Sequence, residues 1–314
     1  MPIFMKERVT LTLDSEILKQ IDQSIDGFHI KNRSHAIELL LHQGLQSDIP
    51  GHAIIMAAGK KMNGMKKVHN KPIIEHLINL FKKYHIKNIL IGVCFEKEKI
   101  MDYFGSGSRY GVKIRYIDEE KPSGTVNLVK KARSFLSGAF FVTNADELKD
   151  INLSDMYHTH KENNAVASIA LTTVEDPASY GVVKVDGLRV RGFEEKPSDE
   201  SQTKLINAGL YLFDIEVLDL IPEKIKMFYD YFPILAEQNK LIAYHFSGKW
   251  YDVSNKESYE KAAAEGDVDA QYALGRLYYE GIGVKVDYKI AHKWFLKAAE
   301  KGDSDAQYKI DIHT

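Results

Sequence analysis

The chain has 314 residues, 44% of them hydrophobic and 27% charged, which describes an ordinary water-exposed protein long enough for a sizeable core and more than one domain. A formal net charge of −2 gives no global attraction to nucleic acid or anionic lipid, so either partner requires a local patch. The single cysteine, Cys94, sits in an apolar run and cannot close an internal disulfide; with no signal-like start and no stretch of the ~18 apolar residues a membrane helix needs, the expectation is a cytoplasmic protein without a membrane partner.

Residues 1–48 read strand, helix, helix. Arg8 to Asp14 alternates strictly, with Val9, Leu11 and Leu13 on one face and Arg8, Thr10 and Thr12 on the other. Asp14 or Ser15 can cap a helix whose Ile17, Leu18, Ile21 and Ile25 share a face, and Gly27 separates it from a second helix carrying Ile37, Leu40, Leu41 and Leu45. A lone strand ahead of two helices leaves its backbone groups and apolar face unpaired, so it should pair with a copy of itself in a homodimer. This segment resembles the ribbon-helix-helix family. The resemblance implies that Arg8, Thr10 and Thr12 face DNA bases and that the helix start at Asn32, Arg33 and Ser34 holds a phosphate. Five basic against six acidic residues between Met1 and Leu45 set a modest counterion-release affinity, which keeps open a ribbon that only dimerises.

Gln46 to Gly51 is a polar linker with proline and glycine. From residue 52 to 262 strands alternate with helices: strands at 53–57, 87–93, 112–117 and 139–143, helices at 72–84, 96–104 and 124–136. That order predicts an α/β fold, a three-layer, mostly parallel sheet covered by helices on both faces, with ligands beyond the carboxyl ends of its strands. Two strand ends are chemically suggestive there. Ile55-Met-Ala-Ala-Gly59 delivers backbone amides to a turn that can approach phosphate. Phe140-Phe-Val-Thr-Asn-Ala-Asp146 releases a carboxylate, and Lys249-Trp-Tyr-Asp252 presents another about a hundred residues later. Two such carboxylates suit magnesium, which takes phosphates and water for its remaining ligands.

The ordered motifs Ala57-Ala-Gly59, Lys71-Pro-Ile-Ile-Glu75, Ser123-Gly-Thr125, Asn144-Ala-Asp146, Glu195-Lys-Pro197, Asn207-Ala-Gly209 and Trp250-Tyr-Asp252 resemble the sugar-phosphate nucleotidyltransferases, with a glycosyltransferase-A-like, Rossmann-like fold. The resemblance implies a nucleoside triphosphate and a sugar 1-phosphate as substrates. It implies that Ala58, Gly59, Lys60 and Lys61 meet the nucleotide phosphates and that Gly124 and Thr125 border the base. Asp146 and Asp252 would bind magnesium, Glu195 and Asn207 would hold the sugar, Lys196 would contact the sugar phosphate, and Lys67, with Lys66 one position away, the α-phosphate. The loop Gly59-Lys60-Lys61-Met62 is shorter than the family's and carries lysine where the family has arginine, losing a bidentate fork. A second reading is a ribbon-helix-helix regulator that uses the nucleotidyltransferase-like domain to sense a sugar phosphate or nucleotide sugar.

Residues 263–314 carry a repeat. Lys261-Ala-Ala-Ala-Glu-Gly-Asp-Val-Asp-Ala-Gln-Tyr272 returns 36 residues later, beginning at Lys297, a period typical of helical solenoids. The pattern resembles the Sel-one-like repeat, an α/α solenoid unit related to the tetratricopeptide repeat. One complete unit and the first helix of a second are too few to stand alone, so this segment should lean on the neighbouring domain or on a protein partner.

Overall fold

A computed structural model describes residues 10–25, 32–37, 49–59, 64–68, 71–197, 203–252, 260, 263–264, 266–281 and 284–311. The chain divides into two compact units, Met1–Asp48 and Ile49–Thr314.

In the first unit, Asp14 caps helix α1 (Ser15–Gln23), its Oδ1 accepting from the Glu16 amide at 2.7 Å. Ile21 is buried beneath this helix, whereas Leu11 and Ile17 are 52% and 49% exposed. Asn32 caps a second helical turn at residues 33–37, its carbonyl accepting from the His35 amide. The expected strand at 8–14 is not formed by its described part, since residues 10–14 carry no ladder within the chain. A ribbon of this kind requires a second strand, and the described residues of this unit supply none.

The second unit is built on a nine-stranded sheet with helices on both faces. Its elements, in chain order, are β1 (His52–Ala57), β2 (Lys67–Val68), β3 (Lys71–Pro72), α2 (Ile73–Lys83), β4 (Asn88–Val93), α3 (Lys97–Phe104), β5 (Lys113–Asp118), α4 (Thr125–Lys131), β6 (Phe140–Asn144), β7 (Glu147–Lys149), α5 (Leu153–Glu162), β8 (Ala167–Thr173), β9 (Gly181–Asp186), β10 (Arg189–Glu195), β11 (Leu205–Phe213), α6 (Val217–Leu220), α7 (Phe228–Glu237), β12 (Leu241–His245) and β13 (Trp250–Asp252). The strand order is β5-β4-β1-β6-β11-β8-β12-β10-β9. Strands β5, β4, β1 and β6 are mutually parallel, as is the β8/β12 pair. The pairings β6/β11, β11/β8, β12/β10 and β10/β9 are antiparallel.

The sheet is therefore mixed, not mostly parallel. The helix-connected first half obeys the parallel rule. In the second half the turn Asp186-Gly187, with Gly187 at φ +57°, folds β9 back onto β10 as a hairpin and forces an antiparallel edge.

Strand β1 is apolar on both sides because both sides are covered. Ala53 and Ile55 pack with Ile74, Leu77, Ile78 and Phe81 of α2, and Ile54 and Met56 with Val126 and Val129 of α4 and Phe232 and Leu235 of α7. A small antiparallel ribbon, β7 with β13, stands beside the main sheet in the register Trp250↔Lys149, Tyr251↔Leu148, Asp252↔Glu147.

The chain continues into α8 (Val268–Glu280), α9 (Tyr288–Glu300) and α10 (Ser304–Asp311). Gly275 lets α8 and α9 approach closely, since a Cβ there would lie 2.6 Å from Phe295 Cδ1. The other side of α8, with Ala270, Ala273, Leu274 and Leu277, belongs to the same apolar core as β1 and α2. The repeat segment, expected to lean on the neighbouring domain or on a partner, falls in one compact unit with the sheet. Burial of α8's apolar face in the core that it shares with α2 supplies what a single repeat cannot supply by stacking.

Candidate active site

The site forms where β1 and β6 end side by side. Their register, Met56↔Asn144, continues through a hydrogen bond from the Ala145 amide to the Met56 carbonyl, so Ala58-Gly59 and Asn144-Ala145-Asp146 leave the sheet together. Strand β11 runs antiparallel to β6 and brings Asn207 to Gly209 to the same edge. The β7/β13 ribbon closes one side and carries Asp252 beside Glu147.

Asp146 is the centre of this arrangement. Its Oδ1 is buried without a hydrogen-bond partner. Burial, then the charges of Glu147 and Asp252, push its pKa up to about 7, opposed by Lys149. A carboxylate oxygen left unpaired inside protein beside another carboxylate is a poor arrangement by itself and a good one around a cation. Among the described residues no group of three or more His, Cys, Asp or Glu side chains gathers for a metal. Asp146 and Asp252 as a pair match magnesium, which draws its other ligands from phosphates and water.

A polar frame that the sequence reading missed surrounds these two aspartates. Glu147 accepts from Asn144 Nδ2 at 2.8 Å and from Trp250 Nε1 at 3.1 Å, and pairs with Lys149 Nζ at 3.2 Å. The Lys149 side chain is fully buried, and its ammonium also donates to Thr143 Oγ1 and to the Gly209 carbonyl. Gly209, at φ +58°, must lack a side chain, because a Cβ would stand 2.5 Å from Asn144 Nδ2 and against the Glu147 carboxylate. The available signal was the glycine of Asn207-Ala-Gly209; nothing local marked Glu147 and Lys149, which look like the solvent side of an alternating strand.

Asn207 lies at the same edge, donating to Tyr211 Oη at 2.8 Å and accepting from the Gly209 amide at 3.0 Å. Burial raises the Tyr211 phenol far above its ordinary value, the hydrogen bond with Asn207 opposes this, and the charges of Glu147, Glu195 and Asp146 add to it. The Glu195 carboxyl lies against Gly181, where a Cβ would be 2.9 Å from Oε2; desolvation raises its pKa, with Lys196 opposing. Lys196 takes φ +48° and donates its amide to the Tyr180 carbonyl, and the Tyr180 ring meets Trp250 edge-on at 5.4 Å. Asn207 thus lies at the strand edge from which Asp146 leaves, and Tyr180 links the Lys196 backbone to the ribbon that carries Asp252.

The nucleotide side is less uniform. Gly124 is held at φ +101° against the Lys226 carbonyl, and the Thr125 hydroxyl accepts from the Phe228 amide at 2.9 Å, so both brace the start of α7. Buried Glu119, unforeseen from sequence, fixes this loop by accepting from the Ser123 amide and hydroxyl and from Lys131. Of the lysines, Lys60 and Lys61 lie outside the described residues. Lys67 is exposed on β2. Lys66 precedes β2 and is half-buried: desolvation lowers its pKa, the charge of Asp252 opposes that, and Arg276 reinforces it.

In the first unit Arg8 lies outside the described residues. Thr10, Thr12 and Ser34 are exposed. The Arg33 guanidinium is occupied by both oxygens of Asp22, at 2.6 and 2.7 Å, and the Asn32 side chain by its own helix.

Residues 58–267 match the nucleotidyl transferase family and residues 268–303 the Sel1 repeat. The chain belongs to the nucleotidyl transferase family, with a Sel1 repeat at its C-terminal side. It is 32% identical over 199 residues to the mannose-1-phosphate guanyltransferase beta-B of Xenopus laevis, covering 60% of this chain and 54% of that protein. It is 31% identical over 239 residues to the UTP–glucose-1-phosphate uridylyltransferase of a Synechocystis strain, covering 67% and 62%. The chain therefore spans little more than half the length of the first of these relatives. The crystal structure of HddC from Yersinia pseudotuberculosis is similar in fold, with a TM-score of 0.60 at 20% identity over 68% of this chain and 98% of that one. No helix among the described residues is long and apolar enough to cross a membrane.

Proposed function

We propose that the chain is a magnesium-dependent, cytoplasmic sugar-1-phosphate nucleotidyltransferase that makes a nucleotide sugar and pyrophosphate. The observation that carries this reading is the unpartnered buried Oδ1 of Asp146 beside Asp252, at the carboxyl edge of parallel strands in a chain of this family. Two relatives are named for transferring a nucleotide to a sugar 1-phosphate, one guanylyl and one uridylyl.

In this reading Asp146 and Asp252 hold the ion, which neutralises phosphate charge. Ala58 and Gly59 offer backbone amides at the end of β1, and Gly124 and Thr125 border the base. Lys60, Lys61 and Lys66 grip phosphate, with Lys66 taking the role that the motif match gave to Lys67, because Lys66 is half-buried within the field of Asp252 whereas Lys67 is exposed. Glu195 and Asn207 hold the sugar, and Lys196 its phosphate. A sugar-phosphate oxygen bonds to the α-phosphorus as the bond to the bridging oxygen breaks, and pyrophosphate departs. Such a transfer needs alignment and charge neutralisation more than a protein nucleophile. Purified protein given magnesium, a panel of nucleoside triphosphates and a panel of sugar 1-phosphates should release pyrophosphate with at least one pair. Silence across the whole panel would sink the reading.

We further infer that residues 1–48 pair two copies as a ribbon-helix-helix. The support is the exposure of Leu11 and Ile17, apolar positions on the faces that a second copy would cover. DNA contact through this ribbon would rest on Arg8, Thr10 and Thr12 rather than on Arg33, which Asp22 engages. The full chain should run as a dimer in light scattering and a chain starting at residue 49 as a monomer. An unchanged mass after the truncation would refute the pairing.

A further inference from the structure

The lysine segment at 64–68 is pinned carbonyl by carbonyl. Gly64 O accepts from the Ile74 amide at 3.2 Å and Lys66 O from the Ile73 amide at 3.0 Å, both at the start of α2. Val68 O is bonded by His76 Nε2 at 2.8 Å. A further anchor comes from the repeat: Arg276 Nη1, on α8, donates to Lys67 O at 3.4 Å. The guanidinium is itself aimed by Glu280, one helical turn on, through Nε and Nη2, each 2.8 Å from a carboxylate oxygen. Only 16% of the Arg276 side chain is exposed. Between α8 and the segment lies a cavity of about 250 Å³ lined by Met65, Lys66, Lys67 and Arg276. The same helix continues inward as part of the apolar core under β1 and α2.

We propose that helix α8 of the Sel1 repeat is part of the nucleotide-binding machinery, with Arg276 acting as a positioning residue that fixes the Lys66–Lys67 backbone. This rests on the nucleotidyltransferase reading of the site. A segment held at both flanks presents its ammonium groups without the ordering cost that a free loop would incur on binding. The repeat thereby offsets the shortness of the loop that begins at Gly59. Glu280 neutralises Arg276, so the arginine acts on the loop through its backbone and is not itself the phosphate ligand.

The test uses the full chain and two variants. Arg276→Met keeps length and apolar contact while removing the donor, and Arg276→Lys keeps a donor without the fork. In ligand-free Arg276→Met, amide exchange at 64–68 should accelerate several-fold while α2 and the sheet stay unchanged. Its dissociation constant for the accepted nucleoside triphosphate, measured calorimetrically with magnesium, should rise about tenfold, the scale of one hydrogen bond to a charged group. The KM for the sugar 1-phosphate should stay within about twofold, because Arg276 acts on the Lys66–Lys67 backbone while the sugar contacts are assigned to Glu195, Lys196 and Asn207, and Arg276→Lys should fall between. Unchanged exchange at 64–68, unchanged nucleotide affinity, or equal losses for both substrates would each overturn the proposal. If the unmutated chain binds no nucleoside triphosphate, it is the reading of function that fails, and this shows before any variant is made.

Discussion

Asp146→Asn is expected to abolish nucleotidyl transfer, by about a thousandfold or more, and at the same time to make the metal-free protein more stable at pH 8. The two effects have one cause. The Asp146 carboxyl is pushed up to about 7 from an ordinary 3.8, chiefly by burial and then by Glu147 and Asp252. A group whose pKa is raised on folding contributes stability that is fully present below its unfolded pKa and is lost as pH rises through the folded value. Metal-free wild type should therefore weaken between about pH 4 and pH 7, by roughly 2–4 kcal/mol from this group, whereas the Asn variant does not titrate there. In a domain of this size that is a gap of roughly 5–12 °C in Tm at pH 8, closing toward pH 4. Magnesium should raise the wild-type Tm at pH 8 and leave the variant unmoved, since the ion stabilises only a state that binds it. An Asn variant that is less stable at pH 8, or that still responds to magnesium, would refute the assignment of Asp146 as a metal ligand.

The parts of this site that the sequence made legible are those delivered by a single strand end. Asp146 follows an apolar run, Asp252 follows an aromatic one, and Gly59 ends β1, and each sits at the carboxyl edge where such sheets place ligands. What escaped was whatever depends on two strands meeting. Glu147-Leu-Lys149 alternates like a half-exposed strand, yet its polar face turns inward because Gly209 of β11 leaves room for a carboxylate there. The partners of this ion pair, Thr143, Asn144, Gly209 and Trp250, are spread over a hundred residues. Lys66 and Lys67 could not be separated by spacing either, because they differ in burial: Lys66 is half-buried ahead of β2 and Lys67 is exposed on it. The mixed sheet was partly legible: Asp186-Gly187 is a hairpin signal that the helix-and-strand alternation upstream outweighed. In the repeat, the sequence required an outside surface for α8 and left its identity open; the buried faces of Ala270, Ala273 and Leu277 place it in the core that includes α2.

Lys149→Met should destabilise the second unit by about 3–5 kcal/mol, far beyond the loss of one surface ion pair. The Lys149 ammonium has no exposed surface and binds Glu147, Thr143 and the Gly209 carbonyl, so its removal leaves a Glu147 side chain that is 10% exposed without a countercharge. Asn144 and Trp250 still donate to that carboxylate, but neither carries charge. The double variant Lys149→Met with Glu147→Gln removes the stranded charge and should regain most of the loss in urea unfolding. Lys149 also lowers the Asp146 pKa and Glu147 raises it. The single variant should therefore shift the acid limb of magnesium binding to higher pH, and the double variant should bring it back. A double variant no more stable than the single one would mean that Lys149 serves by filling space, and the polar frame around Asp146 would then be packing rather than electrostatics.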